Sequence, residues 1–196
     1  MDTVLKQDFK SEKNIWYYLQ GREVDMDVFT AIQGRRSIRK YKSTPVEEEK
    51  LSKVLEAARL APSASNMQNW KFIVVRDETV RRKLAEAAGG QSWVAKAPVV
   101  IVACGTEPDG IMLCGQHRYN INVSIAVTHM LLEAYELGLG TCWLGRFEED
   151  KVKKLLKIPE DVRVVAVTPL GYPSEEVLPR PRKSLGEIVS YEKYLY

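Results

Sequence analysis

The chain is poor in the side chains that most often announce chemistry. It holds two histidines and three cysteines among 196 residues. Neither His117 nor His129 stands at a thiolate or carboxylate spacing that would chelate a metal, so no metal site is expected. Cys104, Cys114 and Cys142 form no Cys-x-x-C pair and each lies near apolar neighbours, so they read as reduced, buried thiols of a reducing compartment rather than a disulfide framework. Charge of one sign is also missing. With 29 basic and 26 acidic residues the formal net charge is +3, too small for a polybasic surface, and nucleic acid is not implied as a partner. Long hydrophobic runs are absent as well. The longest, Ala97 to Cys104, is far too short to cross a bilayer, and Met1 to Lys10 has no apolar core of a leader. No membrane partner is expected, and the expected location is cytoplasmic.

What is present suits a packed core: 45% of residues are hydrophobic and 9% aromatic. Residues 1–24 are polar apart from the aromatic island Trp16-Tyr17-Tyr18 and read as an N-terminal extension; residues 25–196 read as one domain. A first helix is expected from about Asp25 to Gly34, with Met26, Phe29 and Ile32 on one face. Thr44-Pro45-Val46-Glu47 has the pattern of a capped helix start, ahead of a stripe of Leu51, Val54, Leu55, Ala58 and Ala61 that stops at Pro62. Lys71 to Val75 reads as a strand, Asp77 as the cap of a helix ended by Gly89-Gly90, and Pro98 to Cys104 as a strand buried on both faces. Gly105 to Arg118 reads as a loop that could cover a site. Asn120 to Leu137 reads as a central helix, apolar on nearly all sides. A short strand from Thr141 to Leu144, a helix from Glu148 to Leu156 and a buried strand from Val162 to Thr168 precede a proline-rich tail. Alternating helices and strands imply one layered domain.

Four stretches carry candidate chemistry. Arg35-Arg36-Ser37-Ile38-Arg39-Lys40-Tyr41 gathers four cations around the Ser37 hydroxyl. Arginine grips phosphate with paired hydrogen bonds and stays charged at physiological pH, although a basic run alone also fits a solvated face. Ala61 to Trp70 supplies small residues, hydroxyls and amides that could approach a planar heterocycle, or simply form an ordinary connection. Gly138 to Gly145 flanks a short strand with glycines whose backbone N–H groups could meet a ligand, or could serve only a helix cap and a turn. Arg182 is a second candidate phosphate grip or a tail charge.

In this order and at these intervals, R-R-S-x-R at Arg35 to Arg39, A-P-S-x-S-N-x-Q-x-W at Ala61 to Trp70, G-L-G-T-C-W-L-G at Gly138 to Gly145 and R-K-x-L at Arg182 to Leu185 resemble the FMN-dependent nitroreductase superfamily, over about Phe29 to Val189. The resemblance implies an α+β fold with a central, mostly antiparallel sheet flanked by helices, and an intertwined homodimer with FMN sites shared between subunits. It places Arg35, Arg36 and Ser37 at the FMN phosphate and ribityl chain with Arg182, and Arg39 at the pyrimidine edge of the ring. Pro62, Ser63, Ala64, Ser65, Asn66 and Gln68 come from the other subunit, and Trp143, Leu144 and Gly145 face the flavin N5 and O4 region. No side chain is a nucleophile in this scheme. It implies NADH or NADPH as electron donor and a small oxidised acceptor such as a nitroaromatic or quinone. Where many members carry an aspartate near the start of the central helix, this chain has Asn120 and Asn122, and that acid's role does not carry over. Iodotyrosine deiodinases share the R-R-S-x-R and R-K-x-L pieces but clasp substrate with glutamate, tyrosine and lysine; Leu84 to Pro98 holds no tyrosine, which argues against deiodination. Two alternatives stay open: a specialised flavin enzyme that dehalogenates or fragments a small aromatic, and a non-enzymatic flavin- or nucleotide-binding module.

Overall fold

A computed structural model describes residues 27–194; the expected extension over residues 1–24 and the expected helix start at Asp25, with Met26, lie outside the described residues. Four strands, β1 (Trp70–Val75), β2 (Val99–Gly105), β3 (Gly140–Thr141) and β4 (Arg163–Gly171), form a sheet in the order β1-β2-β4-β3. Every ladder is antiparallel, and one isolated parallel bridge, Ser37 to Thr141, attaches the arginine stretch outside β3. An α+β architecture with a mostly antiparallel sheet is therefore what the chain adopts.

Helices α1 (Val28–Gly34), α2 (Glu48–Arg59), α3 (Glu78–Ala87), α4 (Trp93–Lys96), α5 (Arg118–Glu136), α6 (Glu149–Leu156) and α7 (Leu185–Ile188), with one 3-10 turn at Ala64–Asn66, complete the described elements. On one face of the sheet α2 and α5 bury Leu51, Val54, Val123, Val127 and Met130 against Val99, Ile101, Ala166 and Leu170. On the other, α3, α4 and α6 bury Leu84, Val94 and Val152 against Val100, Val102, Val164 and Val167. Each side chain of β2 is buried because both faces of the strand are covered, as its unbroken apolar run requires. A register shift opposite Ala103 and Cys104 lets Val164 and Val167 face one layer while Ala166 faces the other.

Three expectations are corrected. Thr44 does not cap a helix: α2 begins at Glu48, and the Glu47 carboxylate accepts a hydrogen bond from the Tyr172 hydroxyl at 2.8 Å instead of closing a capping box. Of the expected Asp25 to Gly34 helix, the described part, α1, has Asp27 as its cap rather than inside the helix: Asp27 accepts from the Thr30 N–H at 2.6 Å. Phe29 and Ile32, expected on one face, are 65% and 53% exposed, with Ala31 the one buried residue of α1. Strand β4 runs to Gly171, three residues past the expected Thr168, since it must pair both Val99 of β2 and Gly140 of β3.

Helix α5, 19 residues, inserts Val123, Ala126, Val127, Met130 and Ala134 into the core. Its other side leaves Ile121 37% exposed and Ile125 half-buried, so within one chain the expected all-round burial is not complete.

Candidate functional site

The arginine stretch is held as an extended arm along the outer edge of β3. The Ile38 N–H donates to the Thr141 carbonyl at 2.9 Å, Lys42 N–H to Tyr172, and Ser174 N–H to Lys40. Gly140 permits this approach: a Cβ there would meet Ile38 Cγ1 at 2.6 Å. Backbone pairing along an edge fixes the alternate side chains on opposite sides, so Ile38 enters the core while Ser37 and Arg39 stay on the other side.

The four arginines named from the sequence then separate into roles. Arg35, at the end of α1, is partly buried; burial, then the nearby cations Arg182 and Arg36, lower its pKa. Arg182 thus comes to Arg35 from a distant part of the chain. Arg39 lies 5.7 Å from the centre of the Trp93 ring, a cation–π distance, and reaches the Ser37 carbonyl at 3.4 Å. Arg36 departs from expectation. Its guanidinium turns back onto the carbonyls of Gln33, Gly34 and Arg35 at 2.6, 3.0 and 2.9 Å, where it caps the C-terminus of α1, and its buried Nε finds no partner among the described residues.

The other described arginines divide: Arg81, Arg118, Arg146 and Arg180 meet no carboxylate among the described residues, and four are paired. Arg59 pairs with Glu56 and Arg163 with Glu149, as do Arg76 with Glu48 and Arg82 with Glu78. Among the described residues no carboxylate meets Arg35, Arg36, Arg39 or Arg182. Partly buried cations without a counter-charge are costly unless an anion from outside completes them.

The strip after β3 closes the same corner. Cys142 is 2% exposed, and burial raises its thiol pKa against the opposing pull of Arg39, a hydrogen bond with Ser37 and the charge of Arg35. This placement of a thiol against Ser37 was not legible beforehand. Trp143 is half-buried against the core. Leu144 is corrected: its N–H donates to the Val167 carbonyl at 3.1 Å and is spent within the sheet. The Gly145 N–H is unclaimed among the described residues, so of the expected pair of backbone donors only Gly145 has one to offer.

Residues 62–69 lie elsewhere. They lead into β1, whose Trp70 pairs with Gly105, next to Arg163 at the start of β4, whereas β3 pairs with the far end of β4 at Gly171. Three strand spacings of ~4.8 Å across and the length of β4 along put the two groups roughly 25–30 Å apart, at diagonally opposite corners of the sheet. One chain does not bring the predicted residues together.

This loop is preformed. Ser65, Asn66 and Gln68 have φ of 52°, 53° and 51°, a conformation few non-glycine residues adopt. Internal bonds hold it: Ser63 Oγ accepts from the Gln68 N–H at 3.0 Å, and the Gln68 amide donates to the Asn66 carbonyl and Oδ1, each at 3.2 Å. Pro62, Ser65, Asn66 and Gln68 are exposed, Ser63 and Ala64 half-buried. Behind it stand two buried amides, Asn69 and Asn122, that sequence reasoning left without a role.

Comparison with known proteins bears on the same residues. The model of the nitroreductase family matches residues 32–109 and 88–172. The chain belongs to the nitroreductase family. It is 34% identical over 201 residues to the NADH dehydrogenase of Thermus thermophilus, covering 84% of this chain and 95% of that one. It is 29% identical to the FMN reductase (NAD(P)H) of Bacillus subtilis, covering 86% of this chain and 75% of that one. Among solved structures, the FMN-dependent nitroreductase of Clostridium difficile superposes with a TM-score of 0.74 at 32% identity, covering 84% of this chain and 98% of that one. The nitroreductase family match contains both corners of the sheet, with Arg182 lying beyond it. No described helix is long and apolar enough to cross a membrane.

Proposed function

We propose that this nitroreductase-family chain is an FMN-dependent oxidoreductase that passes reducing equivalents from NADH or NADPH to a small oxidised acceptor such as a nitroaromatic or a quinone, at sites shared by two copies of the chain. The observation that carries the reading is the cluster of Arg35, Arg39 and Arg182, with Arg35 partly buried and none of the three meeting a carboxylate among the described residues, together with Ser37 between them in sequence and an unclaimed Gly145 N–H further along the chain. A phosphate with an electron-accepting ring fits that donor set. The family match and the FMN-dependent relative support the same cofactor.

Each residue then has a task. Arg35 and Arg182 hold the phosphate by charge-assisted hydrogen bonds, and Ser37 adds a compact donor beside them. Gly145 offers its N–H to the ring. Arg39, steadied over Trp93, places a permanent cation at the pyrimidine edge, where it favours negative charge in a site of lowered dielectric. FMN, when bound, supplies the two-electron hydride chemistry itself. Arg36 serves the fold, because one guanidinium nitrogen is spent on the carbonyls at the end of α1.

Sharing follows from the separation of the corners. Residues Pro62 to Gln68 cannot close over Arg35 and Arg39 of their own chain across roughly 25–30 Å of sheet. A two-fold partner brings its own loop to the arginine corner. Apolar surface for such pairing is present: Val28, Phe29 and Ile32 on α1, and Leu178, Leu185, Ile188 and Tyr191 on the tail, are all more than half exposed in one chain.

The test begins with colour. The purified protein is expected to absorb near 450 nm, as bound oxidised flavin does, and to oxidise NADH or NADPH when an acceptor is supplied. A colourless protein that FMN does not reconstitute would sink the reading.

A further inference from the structure

We infer that Asn122 is a positioning residue that locks the 63–68 loop and the hairpin segment 106–118 into one unit, so that a contact made by the hairpin is felt at the loop. The geometry is compact. Asn122, 1% exposed in the second turn of α5, uses its amide as a fork: Oδ1 accepts from the Ala64 N–H at 3.0 Å, and Nδ2 donates to Asn69 Oδ1 at 2.7 Å. Asn69, 3% exposed, passes the link on, donating through Nδ2 to the Thr106 carbonyl at 3.3 Å while its own carbonyl accepts from the Thr106 N–H at 3.0 Å.

Both ends of this chain of bonds need holding. At one end three non-glycine residues, Ser65, Asn66 and Gln68, sit at positive φ, a conformation that persists only where surrounding bonds over-determine it. At the other, Thr106 opens a segment that turns back through Gly115 (φ 83°), bridges Ile111 to His117, and leaves Ile111 and Leu113 fully or largely exposed. That apolar tip has little to pack on within its own chain. A buried amide is the side chain this junction requires, since it offers one donor and one acceptor in a fixed fork; a carboxylate would turn an acceptor toward Asn69 Oδ1 and an alkyl group would leave the Ala64 N–H bare. The link to flavin affinity rests on the proposed function above; the coupling of the two segments does not.

Hydrogen exchange followed by mass spectrometry on the full chain without FMN tests the coupling directly. In Asn122→Ala, amides of both 63–68 and 106–117 are expected to exchange about tenfold faster, the scale of one lost buried hydrogen bond, with those of β2 and α2 unchanged. In Asn69→Ala, the Ala64 to Asn122 bond survives, so the hairpin is expected to loosen much more than the loop. Asn122→Ser, which keeps an acceptor but cannot reach Asn69, serves if the alanine variant does not fold. Exchange unchanged in either segment of the Asn122 variant overturns the inference. FMN titration then reads the consequence: a roughly tenfold weaker Kd is expected for Asn122→Ala. If the parent binds no FMN the proposed function fails, and the exchange result still decides the coupling.

Discussion

At the β3 corner three arginines, Arg35, Arg39 and Arg182, meet no carboxylate among the described residues; at the β1 corner the N–H groups of Ala64, Asn66, Met67 and Gln68 are bonded within the loop or to Asn122. The first region stores electrostatic cost and the second conformational cost. Clustered cations without a carboxylate, Arg35 among them partly buried, are relieved when a negative group arrives, so changes there should register in ligand binding and in charge stabilisation. Positive-φ residues are already held before any ligand arrives, so changes at the loop should register in local order and in shape. The ordinary surface pairs of the chain, such as Arg59 with Glu56, store neither.

The contrast can be broken most forcefully at Arg39. Arg39→Ala is expected to slow flavin reduction at saturating FMN by about 2–4 kcal/mol, while FMN affinity falls less, because its charge is wanted chiefly once electrons arrive. Stopped-flow reduction by NADH or NADPH checks this, and an unchanged rate removes Arg39 from the assigned role. Arg35→Ala should act on affinity instead, weakening FMN by about 1.5–3 kcal/mol as a charge-assisted contact is lost. A Kd equal to the parent's, by fluorescence titration, would take Arg35 out of the phosphate site.

The third measurement joins the corners. A heterodimer of one Arg35→Ala chain with one Ser63→Trp chain collects both lesions in one shared site and leaves the other intact, so about half the activity and one FMN per dimer are expected where the sites act independently. If each chain built its own site, both would be damaged and nothing would return.

The smallest effect concerns the empty protein. Arg35 is pushed toward its neutral form first by burial and then by Arg182 and Arg36, so its charge is a net burden without an anion. Arg35→Met is therefore expected to stabilise the FMN-free protein by on the order of 0.5–1 kcal/mol, the range of modest charge interactions, and to lose that advantage once FMN is added to the parent. Thermal unfolding with and without FMN reads both signs. A variant less stable than the parent in the empty state would show that Arg35 is already satisfied within the fold.

Patterns of local character were legible beforehand. The apolar β-branched run of β2, the stripe of α2 and the long apolar α5 follow from spacing alone, because burial on one or both faces writes a period into the chain. Arg35, Ser37, Arg39, Gln68 and Gly145 were singled out by type and spacing. Three other details depended on partners far away in sequence. Glu47 lost its capping role to Tyr172, 125 residues on; Arg36 left the anion cluster for the carbonyls of α1; and Leu144 gave its N–H to Val167.

By itself, then, the sequence determined which segments could pack and the family whose order of motifs it follows, since these depend on residue type and short spacing. Only the tertiary structure decided that the two halves of the proposed site stand at opposite corners of one sheet, which strand order alone dictates, and that Asn122 and Asn69 lie back to back behind the loop. Two asparagines 53 residues apart carry no mutual signal in the chain. Their meeting depends on where α5 crosses the start of β1, and that position is set by the summed burial of Val123, Val127 and Met130 rather than by either amide.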